Sequence, residues 1–296
     1  MITQKPLDLH GRKIVVIASG SIAAIKTPIL VSNLVKSGAE VRCVVTPSAT
    51  NLVSPLALAT ISRNRCYQDS DQWDPIEPRP LHIELAEWAE VIVIAPMSAS
   101  TLGRWTNGIA EGLAASLLIA SEKPVIAAAA MNTGMWENYA IKRNWEELTS
   151  RERVLMIEPS FGLLACDRVG EGRMAGIELI ELAINHCFLQ KDKKDCLKKD
   201  WEGVRFLVSA GPTTEYIDIA RTITNRSTGQ MGLMLAQAAK FRGAKVHLIH
   251  GGLQTPASWE EGLSTHPITS SGDMDKALKE LQPTADVIVM AAAISD

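Results

Sequence analysis

A doubly wound α/β fold is predicted by three features of this 296-residue sequence. Short apolar runs rich in β-branched residues alternate with segments whose apolar residues recur at helical spacing. The runs are apolar at nearly every step, the pattern of strands buried on both faces of a parallel sheet. Most of them end in Gly, Pro, Ser, Thr or Asn, and open parallel sheets bind ligands beyond those ends.

The elements follow in order. Lys13–Ser19 predicts the first strand, closed by Gly20, and Ile22–Lys36 a helix stopped by Gly38. Strands are expected at Glu40–Thr46, Glu90–Ala95, Pro124–Ala129 and Arg153–Glu158, with helices at Ala110–Ala120 and Met135–Leu148. Residues 190–200 carry Lys or Asp at nearly every step and predict a linker between a domain over 1–189 and a second over 201–296. Beyond it, strands are expected at Val204–Ala210, Lys245–His250 and Asp286–Ala293, and helices at Thr228–Arg242 and Asp273–Leu281. Three strands and two helices are half of a Rossmann-like sheet, so the second domain is expected to be incomplete or the chain a fragment.

Composition narrows the function. With 46% hydrophobic and 21% charged residues the chain is globular in type. A net charge of −3 gives no general basic surface for nucleic acid. The longest apolar runs, Val91–Met97 and Leu113–Ala120, fall far short of a membrane span, and the N-terminus lacks an apolar signal core. Five cysteines without a C-x-x-C pair predict reduced thiols, a cytoplasmic setting and no zinc site.

Hydroxyls, amides and free backbone N–H groups recur where four strands end: Gly20-Ser21-Ile22, Thr46-Pro47-Ser48, Ala95-Pro96-Met97-Ser98 and Met131-Asn132. Ser and Thr are common helix N-caps, so each cluster alone says little. Their recurrence on one rim suits a phosphate-bearing cofactor. A G-x-G-x-x-G fingerprint is absent from this half, which disfavours an NAD-dependent dehydrogenase.

The rim motifs resemble a known family. Gly20-Ser21-Ile22-Ala23-Ala24-Ile25-Lys26, His82-Ile83-Glu84-Leu85, Ala99-Ser100-Thr101-Leu102-Gly103, Asn107-Gly108-Ile109-Ala110 and Ala130-Met131-Asn132 look like the flavin-dependent cysteine decarboxylases. Gly162-Leu163-Leu164-Ala165-Cys166, with Gly170-Glu171-Gly172-Arg173-Met174, resembles their substrate-covering flap. In the second half Ser209-Ala210-Gly211-Pro212-Thr213, residues 221–227, Gly229-Gln230-Met231-Gly232 and residues 291–296 resemble phosphopantothenate–cysteine ligase. Together they resemble the bacterial bifunctional phosphopantothenoylcysteine decarboxylase/ligases of coenzyme A biosynthesis. Ile25, Ser100, Glu111, Ala129 and Asp167 stand where the family usually has Tyr, Asn, Asp, Pro and Gly, and the ligase's downstream lysine-rich motif is not in this sequence.

The resemblance implies a flavodoxin-like first domain that holds FMN and decarboxylates phosphopantothenoylcysteine without net redox change. Gly20, Ser21, Ile22, Thr46, Ser98 and Thr101 would contact FMN. His82 would be the base assisting thiol oxidation, Asn132 would bind the substrate carboxylate beside Met131, and Cys166 would donate the final proton. The second domain would join phosphopantothenate to cysteine using CTP and Mg²⁺. There Asn225 would act on an acyl-cytidylate, Arg221 would hold an anionic ligand, and Met290, Ala291, Ala292 and Asp296 would line the cytidine site. Homo-oligomers built from trimers are implied, with Trp88, Trp105 and Trp136 as candidate interface anchors. Two rivals share the fold: a decarboxylase of peptides ending in cysteine, and a non-catalytic regulatory subunit. The fused second half weighs against the first; the presence of His82, Asn132 and Cys166 weighs against the second.

Overall fold

The computed structural model describes residues 8–75, 79–190 and 196–295, and the chain divides into two compact units, Met1–Leu197 and Lys198–Asp296. In the first, six strands form one parallel sheet: β1 (Lys13–Ala18), β2 (Glu40–Val45), β3 (Cys66–Tyr67), β4 (Val91–Met97), β5 (Val125–Ala129) and β6 (Val154–Ile157). Their order is β3-β2-β1-β4-β5-β6, so the winding direction reverses between β1 and β4. Every residue of β4 and β5 is buried, as uniformly apolar strands require. The helices are α1 (Thr27–Lys36), α2 (Pro55–Ser62), α3 (Leu81–Trp88), α4 (Ala99–Thr106), α5 (Leu113–Ala120), α6 (Thr133–Trp136), α7 (Tyr139–Thr149) and α8 (Ile177–Leu189). An antiparallel hairpin, β7 (Ser160–Leu163) and β8 (Val169–Arg173), stands apart from the sheet.

Several boundaries differ from the sequence expectation for local reasons. The helix expected from Ile22 begins as a 3-10 turn, Ile22–Lys26, and becomes α-helical at Thr27, with Pro28 in its first turn. The helix expected from Ala110 starts at Leu113, because Gly112 has φ +84°. Met135–Leu148 is two helices, since Asn138 is extended and its side chain caps Ala140. Trp105 and Trp136 are 1% and 2% exposed, so they are core residues and not interface anchors; Trp88 packs partly buried against the same core. The charged stretch 191–195 lies outside the described residues, and Cys196 and Leu197 beyond it are buried. No cysteine among the described residues is in a disulfide.

The second unit holds β9 (Arg205–Ala210), β10 (Thr214–Tyr216), β11 (Thr222–Thr224), α9 (Gln230–Phe241), β12 (Lys245–His250), β13 (Ser264–Pro267), α10 (Ser271–Leu281) and β14 (Val287–Met290). Its parallel sheet runs β13-β12-β9-β14, one strand more than the three expected, and β10 pairs with β11 as a hairpin. Strand β14 ends three residues before Ala293, and its residues alternate half-buried and exposed. Arg205 and Asp286 meet at its start: the guanidinium donates to both carboxylate oxygens, at 2.8 and 3.0 Å, and the Arg205 backbone N–H adds a third bond.

Those bonds, the guanidinium's first, lower the Asp286 carboxyl from 3.8 to about 2. A depressed folded value means that the stabilisation is present above the unfolded value and is lost as pH falls through the folded one. Asp286→Asn is therefore expected to flatten the loss of stability between about pH 4 and pH 2, read as the urea midpoint against pH. The pair is solvent-exposed, so the difference will be shallow. Parallel acid limbs in both proteins would count against it.

Candidate active site

The reversal between β1 and β4 places two strand ends side by side, and the loops after them diverge to opposite faces of the sheet. Ser19 fixes their spacing. Its buried hydroxyl donates to the Pro96 carbonyl (2.8 Å) and accepts the Ser98 backbone N–H (2.7 Å). The rim motifs did not single out Ser19, because its role is visible only once β1 and β4 are neighbours. Beyond these ends opens a cavity of about 710 Å³, a volume typical of cofactor and ligand sites.

Nine of the residues singled out from the first-unit sequence line this one cavity: Gly20, Ser21, Ile22, Thr46, Ser98, Thr101, Met131, Asn132 and Cys166. Ser98 also caps α4, accepting the Thr101 N–H at 3.3 Å, while Ser21 makes no capping bond of its own. The Thr46 hydroxyl is buried with no hydrogen-bond partner among the described residues, a costly state unless a polar group meets it in the cavity. Gly20 lies so close to the loop after β2 that a Cβ there would come within 2.5 Å of the Ser48 Cβ. Backbone and small hydroxyls thus form part of the cavity lining. Ile22, Ile25, Met135, Leu164 and Met174 give it apolar walls.

Asn132 and Cys166 line the same cavity. Asn132 is the N-cap of α6: its Oδ1 accepts the Gly134 N–H at 2.9 Å, which turns its amide Nδ2 outward. That nitrogen lies 3.1 Å from the Cys166 Sγ. Cys166 sits at the tip of the β7–β8 hairpin, which docks with the Met131 N–H donating to the Gly172 carbonyl (3.0 Å). Gly172 has φ +150°, and a Cβ there would meet the Met131 carbonyl at 2.2 Å, so only glycine allows this approach.

His82 does not line this cavity. It lies in the first turn of α3, its Nδ1 3.4 Å from the Gln72 amide, which also donates to Ser116. Conversely, Asp69, Arg104 and Glu111 line the cavity without having been singled out as site residues. Arg104 pairs with Glu111 at 3.3 Å, and Asp69 accepts the Leu113 N–H at 3.0 Å. Burial pushes the Asp69 carboxyl above its usual range, with that N–H acting in the opposite direction. No local motif marks these three; they meet only because α4, α5 and the 3-10 turn Asp69–Trp73 converge.

In the second unit Ser209, at the end of β9, organises the chain after β14: its hydroxyl accepts the N–H groups of both Ala291 and Ala292 at 3.2 Å and donates to the Met290 sulfur at 3.9 Å. The Asn225 amide donates to the Ile294 carbonyl (3.0 Å), bringing the segment after β11 to the segment after β14. Arg221 lies in the β10–β11 connection, and its Nε donates to Asp218 at 2.7 Å, so its charge is already paired. Asp296 lies outside the described residues. Among the described residues no three His, Cys, Asp or Glu side chains are grouped to hold a metal, and no helix is long and apolar enough to cross a membrane.

A doubly wound sheet with a hydroxyl-lined cavity at its switch point defines a nucleotide- or flavin-binding class, and comparison with known proteins agrees. Residues 2–188 match the family described as Flavoprotein, and residues 201–296 the DNA/pantothenate metabolism flavoprotein C-terminal domain. The first unit is similar to PPC decarboxylase, solved as a cysteine-to-serine mutant complexed with pantothenoylaminoethenethiol (35% identity, TM-score 0.57, 61% of this chain and 100% of that one). It is also similar to the FMN binding protein AtHal3 (36%, TM-score 0.55, 62% and 99%). Over nearly its whole length the chain is similar to the coenzyme A biosynthesis bifunctional protein CoaBC of Bacillus subtilis, 38% identical over 294 residues (97% of this chain, 69% of that one). The Haemophilus influenzae protein of the same name is also 38% identical, over 293 residues (98% and 70%). The chain belongs to the family of bifunctional coenzyme A biosynthesis proteins.

Proposed function

We propose that the first unit is an FMN-dependent phosphopantothenoylcysteine decarboxylase. The contact between the Asn132 amide and the Cys166 thiol, in a cavity that backbone and hydroxyl groups also line, supports this most directly. The residues fit the cofactor: Gly20, Ser21 and Ser98 offer backbone and hydroxyl groups to a phosphate, Thr46 offers its unpartnered hydroxyl, Ile22 and Thr101 lie alongside, and the apolar walls suit a flat ring. When bound, FMN supplies a reversible two-electron acceptor, which makes the thioaldehyde oxidation level of the substrate accessible.

Asn132 binds the substrate carboxylate through Nδ2, a neutral donor that holds the group without the strong ground-state stabilisation a cation would give. Met131 packs beside it. Cys166, within reach of that nitrogen, delivers a proton as the unsaturated thiol left by CO₂ departure is reduced. The base is His82, and because it lies away from the cavity of its own chain, we infer that a second copy completes the site. Ile22 and Ile25 line the cavity and are more than half exposed, which suits such a contact. Trimer-based assembly would be read as native mass.

Purified protein reconstituted with FMN is expected to show a flavin absorbance band and to convert phosphopantothenoylcysteine to phosphopantetheine. Protein that binds no FMN would overturn the proposal. Gly20→Ala is expected to weaken FMN binding by roughly five- to 150-fold, the size of a 1–3 kcal/mol overpacking cost. Unchanged FMN affinity would remove Gly20 from the cradle.

For the second unit we propose the ligase half-reaction of the same route, joining phosphopantothenate to cysteine with CTP. Asn225 and the Met290–Ala292 turn, brought to one rim through Ile294 and Ser209, support a cytidine site there. The small side chains of Ala291 and Ala292 permit close approach of a nucleotide. No protein ligand is assigned to Mg²⁺, which would travel with the nucleotide's phosphates. The match of residues 201–296 also favours a pantothenate-derived substrate over a peptide ending in cysteine.

A further inference from the structure

The hairpin that carries Cys166 buries few side chains, chiefly Leu164 in its loop and Met174 just after β8. The side chains of Phe161, Leu163 and Val169 are all more than 60% exposed. Its inward positions on β8 are Gly170 and Gly172, which bring bare backbone against Thr133 and Met131 and contribute no side chain to grip. One backbone bond, Met131 N–H to the Gly172 carbonyl, docks the strand. A second bond lies one residue away: the Trp136 indole Nε1–H donates to the Glu171 carboxylate at 3.0 Å.

The two partners of that second bond are unlike. Trp136 is immobilised, edge-on to Trp145 with ring centroids 4.8 Å apart and with the Lys142 ammonium 3.9 Å over its ring. Glu171 is exposed, and among the described residues its side chain's hydrogen bond is to this indole. A fixed donor and a charged acceptor on an otherwise loose strand make a clasp, and hydrogen bonds to charged groups are the stronger kind. Trp136 ends the short helix that Asn132 caps, so the clasp ties the thiol-bearing hairpin to the element that aims the Asn132 amide.

We propose that Glu171 is a positioning residue: through Trp136 it holds the hairpin closed and keeps Cys166 at Asn132. This deepens the decarboxylase assignment and rests on it for its kinetic consequence, but not for its mechanical one. The test uses the full chain and three variants, Glu171→Ala, Glu171→Gln and Trp136→Phe, with hydrogen–deuterium exchange over residues 130–173 and steady-state kinetics on phosphopantothenoylcysteine.

Glu171→Ala is expected to speed exchange of the Met131 amide and the hairpin amides about tenfold, the factor one charge-assisted hydrogen bond supplies. It should raise KM several-fold and slow formation of the saturated thiol more than release of CO₂. Glu171→Gln keeps an acceptor oxygen and should restore much of both. The double variant Glu171→Ala/Trp136→Phe should be no looser than either single one. Exchange and KM unchanged in Glu171→Ala, or Glu171→Gln as impaired as Glu171→Ala, would overturn the clasp. Should Trp136→Phe disturb the core, the Glu171 pair decides alone, since neither change touches it. A wild-type chain that decarboxylates nothing while its hairpin still loosens in Glu171→Ala would sink the enzymatic assignment and leave the clasp standing.

Discussion

Cys166→Ser should uncouple the two ends of the reaction: CO₂ is still released, while formation of the saturated thiol falls steeply. The geometry separates the tasks. The Asn132 amide and the polar rim, where carboxylate and cofactor would bind, do not depend on the thiol, since the Asn132 Oδ1 is fixed by Gly134 and Met131 by Gly172. In the proposed mechanism only the late proton is assigned to Cys166. Serine keeps the size and can still accept from the Asn132 amide, but its hydroxyl is a far weaker acid than a thiol. Loss of a positioned acid typically costs a factor of ~10²–10⁴, so thiol formation should fall by at least the lower figure. The measurement is labelled CO₂ release alongside mass analysis of the product, with the unsaturated enethiol accumulating in the variant. Saturated thiol made at the wild-type rate would remove Cys166 from the role.

The rim of this site was legible because parallel-sheet topology turns a linear pattern into a place. Residues after the strands that became β1, β2, β4 and β5 had to emerge on one edge, and Gly20, Thr46, Ser98 and Met131 line one cavity. What could not be read depends on side chains arriving from elsewhere. Asp69, Arg104 and Glu111 reach the cavity from a 3-10 turn, the last turn of α4 and the loop before α5, positions with no periodic or spacing signal. Strand β3 is two residues long and β13 (Ser-Thr-His-Pro) is polar and mostly exposed, so neither has the apolar alternation that marks a strand. The break between α6 and α7 was hidden because Asn138 acts through its cap, which competes with helical continuity only locally. The flap residues could be named as a motif, yet the hairpin's closeness to Met131 rests on Gly172, whose reason is a tertiary contact.

The same limit applies to His82, and it yields the second large effect. His82→Asn and Cys166→Ser should each be nearly inactive alone, and a mixture of the two, dissociated and reassembled, should recover activity. Within one chain His82 faces Gln72 on the α3 side and is not part of the cavity wall that holds Cys166. If one subunit supplies the histidine and another the cavity, a site is competent when its histidine comes from a Cys166→Ser chain and its thiol from a His82→Asn chain. In a one-to-one random mixture each contributor is correct half the time, so about a quarter of the sites should work. If both residues served a site within their own chain, no mixture would contain an intact one and activity would stay at the level of the single variants. The His82→Asn protein should meanwhile retain FMN, because none of the proposed cofactor contacts lies on α3. Recovery with retained FMN would place the base on a neighbouring subunit, and failure to recover in reassembled, FMN-loaded mixtures would return it to its own chain or dismiss it.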